Sequence, residues 1–198
     1  MSRWFTPGTW TYALPLFLVA GPLLWFYPSV AAGCILAGLA ILFFHRDPPR
    51  EPAGEGVLSP ADGTVSVIRE EEGRLRVGVF MNVHNVHVNR APVDGSIDHV
   101  THIDGAHKPA FSKDSDRNER VHVDCGDYRV TLIAGAFARR IHPYVDDGDT
   151  LARGDRIGHI SFGSRADVLF PPETERSDLR IEEGDGVRAG ETVLADEP

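Results

Sequence analysis

A run of 37 residues without a charged side chain, from Gly8 to Phe44, constrains the fold of this chain more than any other feature. As one straight helix the run would be about 55 Å long, whereas the hydrocarbon core of a bilayer is about 30 Å thick. The run is interrupted at Pro22 and at Tyr27-Pro28-Ser29, and proline disfavours a helix interior because it lacks the amide hydrogen. The sequence therefore predicts a hairpin of two apolar helices, Trp10 to Phe26 and Val30 to Phe44, that either spans the membrane twice or dips into one leaflet.

Arginines flank the apolar run on both sides. Arg3 precedes it, and Arg46 and Arg50 follow it. Because positively charged flanks stay in the cytoplasm, we expect both ends of the hairpin, and the domain that follows, on the cytoplasmic side of the cell membrane. The run is too long for a cleaved signal peptide. The residues after Cys34 stay apolar, which argues against lipoprotein processing there.

The remainder of the chain is predicted to be mainly β. Residues 47–55, rich in proline and charge, indicate a linker between a membrane hairpin (residues 1–46) and a globular domain (residues 56–198). Short aliphatic runs separated by Gly, Asp and Pro predict extended segments. These segments are 56–68, 74–88, 95–103, 120–125, 128–134, 157–162 and 168–170. We expect a compact β-sandwich or barrel-like domain.

Two pairs of similar turns indicate an internal repeat in this domain. Ser59–Val65 and Arg90–Ile97 share a Pro-x-Asp-Gly-x-aliphatic core, and Asp147–Asp155 and Glu183–Glu191 share the pattern Gly-Asp-x-x-x-x-Gly-Asp/Glu. The second pair resembles the turns of biotinyl and lipoyl carrier domains. Neither turn carries the lysine that such carriers modify. The pattern therefore favours a lipoyl-like architecture without carrier function.

Composition excludes several functions. The formal net charge of -9 argues against a nucleic-acid partner. Lysine occurs only at Lys108 and Lys113, which makes a pyridoxal-phosphate enzyme a poor fit. The two cysteines, Cys34 and Cys125, form neither a disulfide framework nor a metal-ligand spacing. The acidic, lysine-poor composition would suit a high-salt cytoplasm, although GC-rich coding also depletes lysine.

A Gly-Ser step, Gly163-Ser164, lies between two of the apolar segments, with a short polar break after it at residues 165–167. Glycine leaves its carbonyl open to attack, and two strands can hold a serine hydroxyl against that carbonyl. Such a step is suited to self-cleavage of the chain. A tight hairpin turn is the commoner use of this dipeptide, and the dipeptide alone leaves both interpretations open.

Three segments together resemble the phosphatidylserine decarboxylase family. They are Ser59–Val65, Phe80–Gly95 with its His-x-x-His pattern, and Phe162–Arg165. The Gly-Ser-Arg of the last segment is similar to the short subtype of the family, whereas the longer enzymes carry Leu-Gly-Ser-Thr. The resemblance runs from about Val57 to the C-terminus. It implies a carboxy-lyase that converts a serine phospholipid, phosphatidylserine or archaetidylserine, to the ethanolamine phospholipid and CO2.

The resemblance also implies a cofactor made from the chain itself. Loss of CO2 from an amino acid needs an electron sink that ordinary side chains do not supply. In the family, self-cleavage between the residues that match Gly163 and Ser164 turns the serine into a pyruvoyl group, which forms a Schiff base with the substrate. By this resemblance a β chain would end at Gly163, an α chain would run from Ser164 to Pro198, and the two would form a heterodimer. No metal is implied.

Roles for three further residues follow from the same motifs. The resemblance implies that Asp62 orients His87 and that His87 activates the weak nucleophile Ser164. It ties His84 to decarboxylation, where we expect it to position the substrate carboxylate or to protonate the α-carbon. Asp62 could instead be only the turn residue of an Asp-Gly hairpin. A spacing of three puts the two histidines on opposite faces of a strand but lets a turn or bulge bring them to one site.

Two other functions compete with this interpretation. A membrane-anchored adaptor with a lipoyl-like domain would explain the apolar N-terminus and the Gly-Asp turns. A metal-dependent hydrolase would use His84 and His87 as zinc ligands. Arg139 or Arg140 could bind a headgroup phosphate, or each could form a surface salt bridge.

Overall fold

The computed structural model describes residues 4–105, 118–135, 141–160 and 164–197. The chain divides into two compact units, Met1–Pro49 and Arg50–Pro198. The first unit is helical and the second is built from strands, which confirms the prediction of a mainly β protein preceded by an apolar helical pair.

The first unit is a helical hairpin of α1 (Thr9–Phe26) and α2 (Pro28–Phe44). Tyr27 alone separates the helices, and Pro28 begins α2, where its missing amide hydrogen is not needed. Pro22 lies inside α1, so the prediction that it interrupts the helix was wrong. The helices pack closely at Gly38, where a Cβ atom would come within 2.6 Å of Phe17 Cζ.

The two ends of the hairpin lie side by side. The Thr6 amide donates to the His45 carbonyl at 2.9 Å, and the Asp47 amide donates to the Trp4 carbonyl at 2.7 Å. α1, with 18 residues, is long and apolar enough to cross a membrane. α2 is also apolar but one residue shorter, with 17 residues. The hairpin is compatible with membrane association.

The described part of the second unit contains fourteen short strands and a 3-10 helix at Arg176–Asp178. The strands are β1 (Val57–Leu58), β2 (Gly63–Glu71), β3 (Arg74–Met81), β4 (Val88–Arg90), β5 (Gly95–Ser96), β6 (His99–Ile103), β7 (Arg120–Cys125), β8 (Tyr128–Ile133), β9 (Ile141–Pro143), β10 (Thr150–Leu151), β11 (Arg156–Ile160), β12 (Ser164–Leu169), β13 (Gly186–Val187) and β14 (Val193–Ala195).

These strands form one large sheet and three small ones. The large sheet has seven strands in the order β13-β2-β3-β12-β8-β7-β6. A three-stranded sheet has the order β4-β11-β9, and β1 pairs with β14 and β5 with β10. All of these neighbouring strands pair antiparallel.

The large sheet has an apolar face and a polar face in its centre. Along β12, Ala166 and Val168 belong to the buried apolar core, whereas Arg165 and Asp167 alternate with them. Successive side chains of a strand point to opposite faces. Ser164 therefore shares the face of Ala166 and Val168.

The strand pairing corrects one part of the sequence interpretation. The polar residues Arg165–Asp167 were expected to form a break before the second apolar strand, 168–170, but they lie within β12. Arg165 and Asp167 fit within a strand because both point to the polar face of the sheet. There Arg165 Nε donates to Asp167 Oδ1 at 2.8 Å. The turn expected at the Gly-Ser step involves Gly163, which lies outside the described residues; β11 and β12, which precede and follow it, belong to different sheets.

The internal repeat is confirmed by a repeated set of backbone hydrogen bonds. The two Pro-x-Asp-Gly segments bond to each other reciprocally, and each one bonds to its own Gly-Asp turn in the same way. Between the two Pro-x-Asp-Gly segments, the Arg90 amide donates to the Pro60 carbonyl and the Leu58 amide to the Pro92 carbonyl, both at 2.9 Å. To its own Gly-Asp turn, each segment makes two matching bonds. The first is Gly154 N to Ala91 O in one half and Gly190 N to Ser59 O in the other, both 2.9 Å; the second is Gly148 N to Ile97 O and Gly184 N to Val65 O, both 2.8 Å. The domain thus consists in part of two similar halves.

A buried ionic cluster occupies the polar face of the large sheet. Asp167 is 1% exposed and accepts hydrogen bonds from Arg76 Nε at 2.7 Å and from Arg165. Burial alone would lower the pKa of Arg76, but the carboxylates of Asp167 and Glu71 raise it above the usual value. The buried Asp167 carboxylate thus contacts two guanidinium groups, and Glu71 is a second, more exposed partner of Arg76.

We predict that Asp167→Asn lowers the free energy of unfolding by about 3 kcal/mol or more, because it removes the buried negative charge that both Arg76 and Arg165 contact. Urea unfolding of the full chain in detergent, followed by the β-sheet circular dichroism signal, measures the change. Asp124→Asn is the matched control, since its partner Arg129 is substantially exposed and such pairs contribute about 0–1 kcal/mol. Equal losses for the two variants would contradict the prediction.

Candidate active site

Three adjacent strands bring the predicted site residues to one end of the large sheet. Asp62 immediately precedes β2, β3 ends at Met81, and β12 begins at Ser164. Ser164 pairs with Met81, and Thr64 pairs with Phe80. Asp62 and Ser164 therefore flank the end of β3, from which the His-x-x-His segment continues.

Ser164 is fully buried in an apolar setting. The residue has no exposed surface, and its Oγ lies 3.9 Å from the sulfur of Met81, a weak acceptor. The next residues on its face, Ala166 and Val168, belong to the core. Gly163 lies outside the described residues. The structure thus places the serine hydroxyl where bulk water is excluded.

His87 is buried as well, and its hydrogen bonding assigns its tautomer. The ring is 2% exposed, and Nδ1 lies 3.0 Å from the Asn85 carbonyl oxygen. A carbonyl only accepts, so Nδ1 carries the hydrogen and Nε2 is the basic nitrogen of the neutral ring. The His87 carbonyl accepts from the Ile160 amide at 3.2 Å. This bond ties His87 to the strand that leads to the Gly-Ser step.

His84 lies on an exposed turn. The Asn85 amide donates to the Asn82 carbonyl at 2.9 Å, and the Asn82 amide donates to Asn85 Oδ1 at 2.8 Å, which closes the turn. His84 is exposed, and Val83 beside it is 57% exposed. A turn was one of the arrangements that the sequence left open, and in the structure it leaves His84 exposed and His87 buried.

The carboxylate of Asp62 is held by residues other than His87. Asp62 Oδ1 accepts from the Ala189 amide at 2.8 Å, and Arg50 Nη2 donates to Oδ2 at 2.8 Å. In the second half of the repeat, Asp94 Oδ1 accepts from the Arg153 amide, also at 2.8 Å. The bond from an amide of the Gly-Asp turn is therefore common to both Asp-Gly segments. Within the part of the chain that the structure describes, Asp62 also forms an ion pair, with Arg50, and Asp94 forms none.

Arg50 was missed as a site residue. It was expected in the linker, yet its side chain is 8% exposed and it also pairs with Glu191 at 3.0 Å. Only its position between prolines and acidic residues was visible in the sequence. No local pattern could have shown that it reaches Asp62 and Glu191, because both partners come from turns distant in the chain.

Asn89 belongs to the motif Phe80–Gly95, but the sequence did not predict a function for it. Its side chain is fully buried, and Nδ2 lies 3.7 Å from the Met81 sulfur and 3.3 Å from the Pro60 carbonyl oxygen. Met81 thus contacts both Asn89 and Ser164. These contacts add an amide group to the surroundings of the serine.

Two of the other predictions concern cation and anion binding. Within the described ranges, no group of three or more His, Cys, Asp or Glu side chains is arranged to hold a metal ion. Arg139 and Arg140, the candidates for a headgroup phosphate, lie outside the described residues.

Comparisons with known proteins agree with the motifs at this site. The family model for phosphatidylserine decarboxylase matches residues 38–195. A protein of Halobacterium salinarum, with the provisional name archaetidylserine decarboxylase proenzyme, is 60% identical over 191 residues, which cover 96% of this chain and 97% of the relative. A Streptomyces griseus protein named phosphatidylserine decarboxylase proenzyme is 44% identical over 98% of this chain and 90% of its own length. No solved structure gave a significant match.

These matches define the chain as a carboxy-lyase made as a proenzyme. It belongs to the phosphatidylserine decarboxylase family, as its three motifs indicated.

Proposed function

We propose that this chain is the precursor of a membrane-bound decarboxylase that cleaves itself between Gly163 and Ser164 and then acts on a serine phospholipid. The observation that carries the proposal is the burial of Ser164 at the first residue of β12, at the end of the sheet where Asp62 and the His84–His87 segment also lie. The names of the relatives point to two substrates, phosphatidylserine and archaetidylserine. These lipids share the serine headgroup, on which the reaction takes place.

In the first step His87 acts as a general base. Its Nε2 takes the proton of the Ser164 hydroxyl, and Oγ attacks the Gly163 carbonyl carbon. The tetrahedral adduct collapses when the Ser164 nitrogen accepts that proton, the C–N bond breaks and an ester forms. The burial of Ser164 supports this step, because bulk water would otherwise compete as nucleophile and hydrolyse the ester.

The second step cuts the chain by β-elimination. A base removes the proton from the Ser164 α-carbon, the Cβ–Oγ bond breaks, and the Gly163 carboxylate leaves with the former hydroxyl oxygen. The amino group on the remaining α-carbon is replaced by oxygen from one water molecule, with release of ammonia. Gly163 then ends the β chain, and a pyruvoyl group begins the α chain in place of Ser164.

The pyruvoyl carbonyl, once formed, supplies the electron sink for loss of CO2. The surroundings of Ser164 fit such a group, since Met81 and the core residues on its face leave no charged side chain in hydrogen-bond contact with its hydroxyl among the described residues. An electrophilic carbonyl in this position is protected from solvent.

We assign His84 to the lipid substrate. The lipid reaches the finished enzyme from outside, and His84 is the exposed histidine of the pair. On its turn it can position the serine carboxylate or deliver a proton to the α-carbon after CO2 leaves. The buried His87 serves the internal cleavage instead.

The two products of cleavage would remain associated as a heterodimer. The α chain contributes β12, which pairs with β3 and β8 of the β chain, and also β13 and β14, which pair with β2 and β1. Every strand that the described part of the α chain forms is thus completed by the β chain. The hairpin α1–α2 would keep this heterodimer at the cytoplasmic surface of the membrane, where its lipid substrate lies.

We predict that the wild-type chain separates into fragments of 163 and 35 residues, whereas Ser164→Ala stays intact. Intact mass under denaturing conditions measures both. The matched control is Ser96→Ala, because Gly95-Ser96 is the other Gly-Ser step in the chain, with an exposed serine in β5. This control should cleave like the wild type, and an uncut wild-type chain in membranes would refute the proposal.

Substitution of each histidine should affect a different reaction, self-cleavage for His87 and decarboxylation for His84. We expect His87→Ala to slow self-cleavage by about 100-fold or more, the usual contribution of a general base. We expect His84→Ala to cleave normally but to lose decarboxylation of a serine phospholipid in mixed micelles, measured as released CO2. His99→Ala, an exposed histidine of β6, is the control and should retain both activities. Normal cleavage of His87→Ala would contradict its role as base.

The charge of Asp62 can be tested against its counterpart Asp94. Asparagine keeps the side-chain oxygen that accepts from the turn amide, so Asp62→Asn and Asp94→Asn both preserve the turn. We expect only Asp62→Asn to slow self-cleavage, by about tenfold or more, if its negative charge supports protonated His87. Time courses on denaturing gels measure the rates. Equal self-cleavage rates for the two variants would show that Asp62 only holds the turn and that its charge has no role in cleavage.

A further inference from the structure

The orientation of the Asn89 amide is set by its neighbours. Its nitrogen must face the Pro60 carbonyl, because that oxygen only accepts hydrogen bonds and lies 3.3 Å from Nδ2. The amide oxygen therefore points the other way. Asn89 Oδ1 is buried and has no hydrogen-bond partner in the part of the chain that the structure describes. A buried acceptor without a donor is costly, which suggests that a donor appears there during function.

The amide group that carries this acceptor lies near the side chain of Ser164. Asn89 Nδ2 and Ser164 Oγ both contact the sulfur of Met81, at 3.7 and 3.9 Å. The two atoms are thus separated by no more than the sum of these distances. Asn89 also pairs with Gly158 on β11, the strand that runs toward the Gly-Ser step.

The internal repeat shows that the fold does not need an amide at this position. Leu58 and Arg90 make equivalent hydrogen bonds in the two halves, so the residues before them, Val57 and Asn89, are equivalent. Val57 is fully buried in the apolar core. One half therefore fills this position with a valine, and the half next to Ser164 fills it with a polar side chain.

We propose that Asn89 Oδ1 accepts a hydrogen bond from the amino group that Ser164 acquires when its amide is converted to an ester. In that conversion the proton of the Ser164 hydroxyl ends on the Ser164 nitrogen, which changes from an amide with one hydrogen to an amine with two. The additional N–H is a donor that the intact chain did not have. An acceptor already in place stabilises the ester and raises the rate of cleavage. This inference rests on the proposed self-cleavage.

Cleavage of newly synthesised full-length chain in membrane vesicles tests the inference, with and without hydroxylamine. Hydroxylamine attacks the ester carbonyl, leaves a hydroxamate on Gly163 and frees Ser164 with its amino group, so it reports ester formation without the elimination step. The variants are Asn89→Val, which copies the equivalent position, and Asn89→Asp, which keeps an acceptor oxygen. Thr174→Val is the control, because Thr174 Oγ1 is also buried without a partner among the described residues but follows the far end of β12.

We expect Asn89→Val to slow cleavage by about twofold to tenfold, the range for one hydrogen bond between neutral groups, and to slow hydroxylamine cleavage by the same factor. Asn89→Asp should lie closer to the wild type, and Thr174→Val should match it. Thermal unfolding of each uncleaved chain, in a Ser164→Ala background, separates lost function from lost structure. Wild-type rates for Asn89→Val, or full rescue of it by hydroxylamine, would overturn the inference. A wild-type chain that never cleaves would instead refute the proposed function itself.

Discussion

The register of β12 between β3 and β8 is the constraint on which the site depends. A slip of one residue would turn Ser164 to the polar face and bury Arg165 in the core. The ionic cluster opposes such a slip, because Asp167 meets Arg76 only in the observed register. Gly78 makes room for the carboxylate, since a Cβ there would lie 2.8 Å from Asp167 Oδ1. A buried charge cluster thus specifies register, which is the best-supported use of buried ionic groups.

The two halves of the domain show how a catalytic site can arise within a repeat. Both halves use an aspartate to hold a turn amide, and both bond their Pro-x-Asp-Gly segments in the same way. The halves differ where Asp62 meets Arg50 and where Asn89 replaces a buried valine. Both differences lie near the end of the large sheet at which β12 begins. The shared bonds maintain the scaffold, and the added polar groups are available for chemistry.

The sequence predicted the elements of this structure better than their assembly. Strand positions, the apolar hairpin and the repeat follow from local patterns, because alternation and Asp-Gly turns involve near neighbours. The motif residues Asp62, His87 and Ser164 were identified by resemblance. Arg50 was not, since its partners Asp62 and Glu191 come from two separate turns. The break expected at Arg165–Asp167 was wrong for a similar reason. The polar residues of one strand cannot show that an arginine on the neighbouring strand, Arg76, will bind the Asp167 carboxylate.

The chain contains the same dipeptide twice, and the difference between the two settings explains how cleavage could be confined to one. Ser96 is exposed on a short edge pairing of β5 with β10, where its hydroxyl is free to bond water. Ser164 is enclosed by strands whose residues are far apart in the chain, Met81 among them. That enclosure exists only after the large sheet has formed. The proposed cut, which needs a positioned hydroxyl, a base and the exclusion of bulk water, would therefore follow folding, and the fragment that it released would already be held in the sheet.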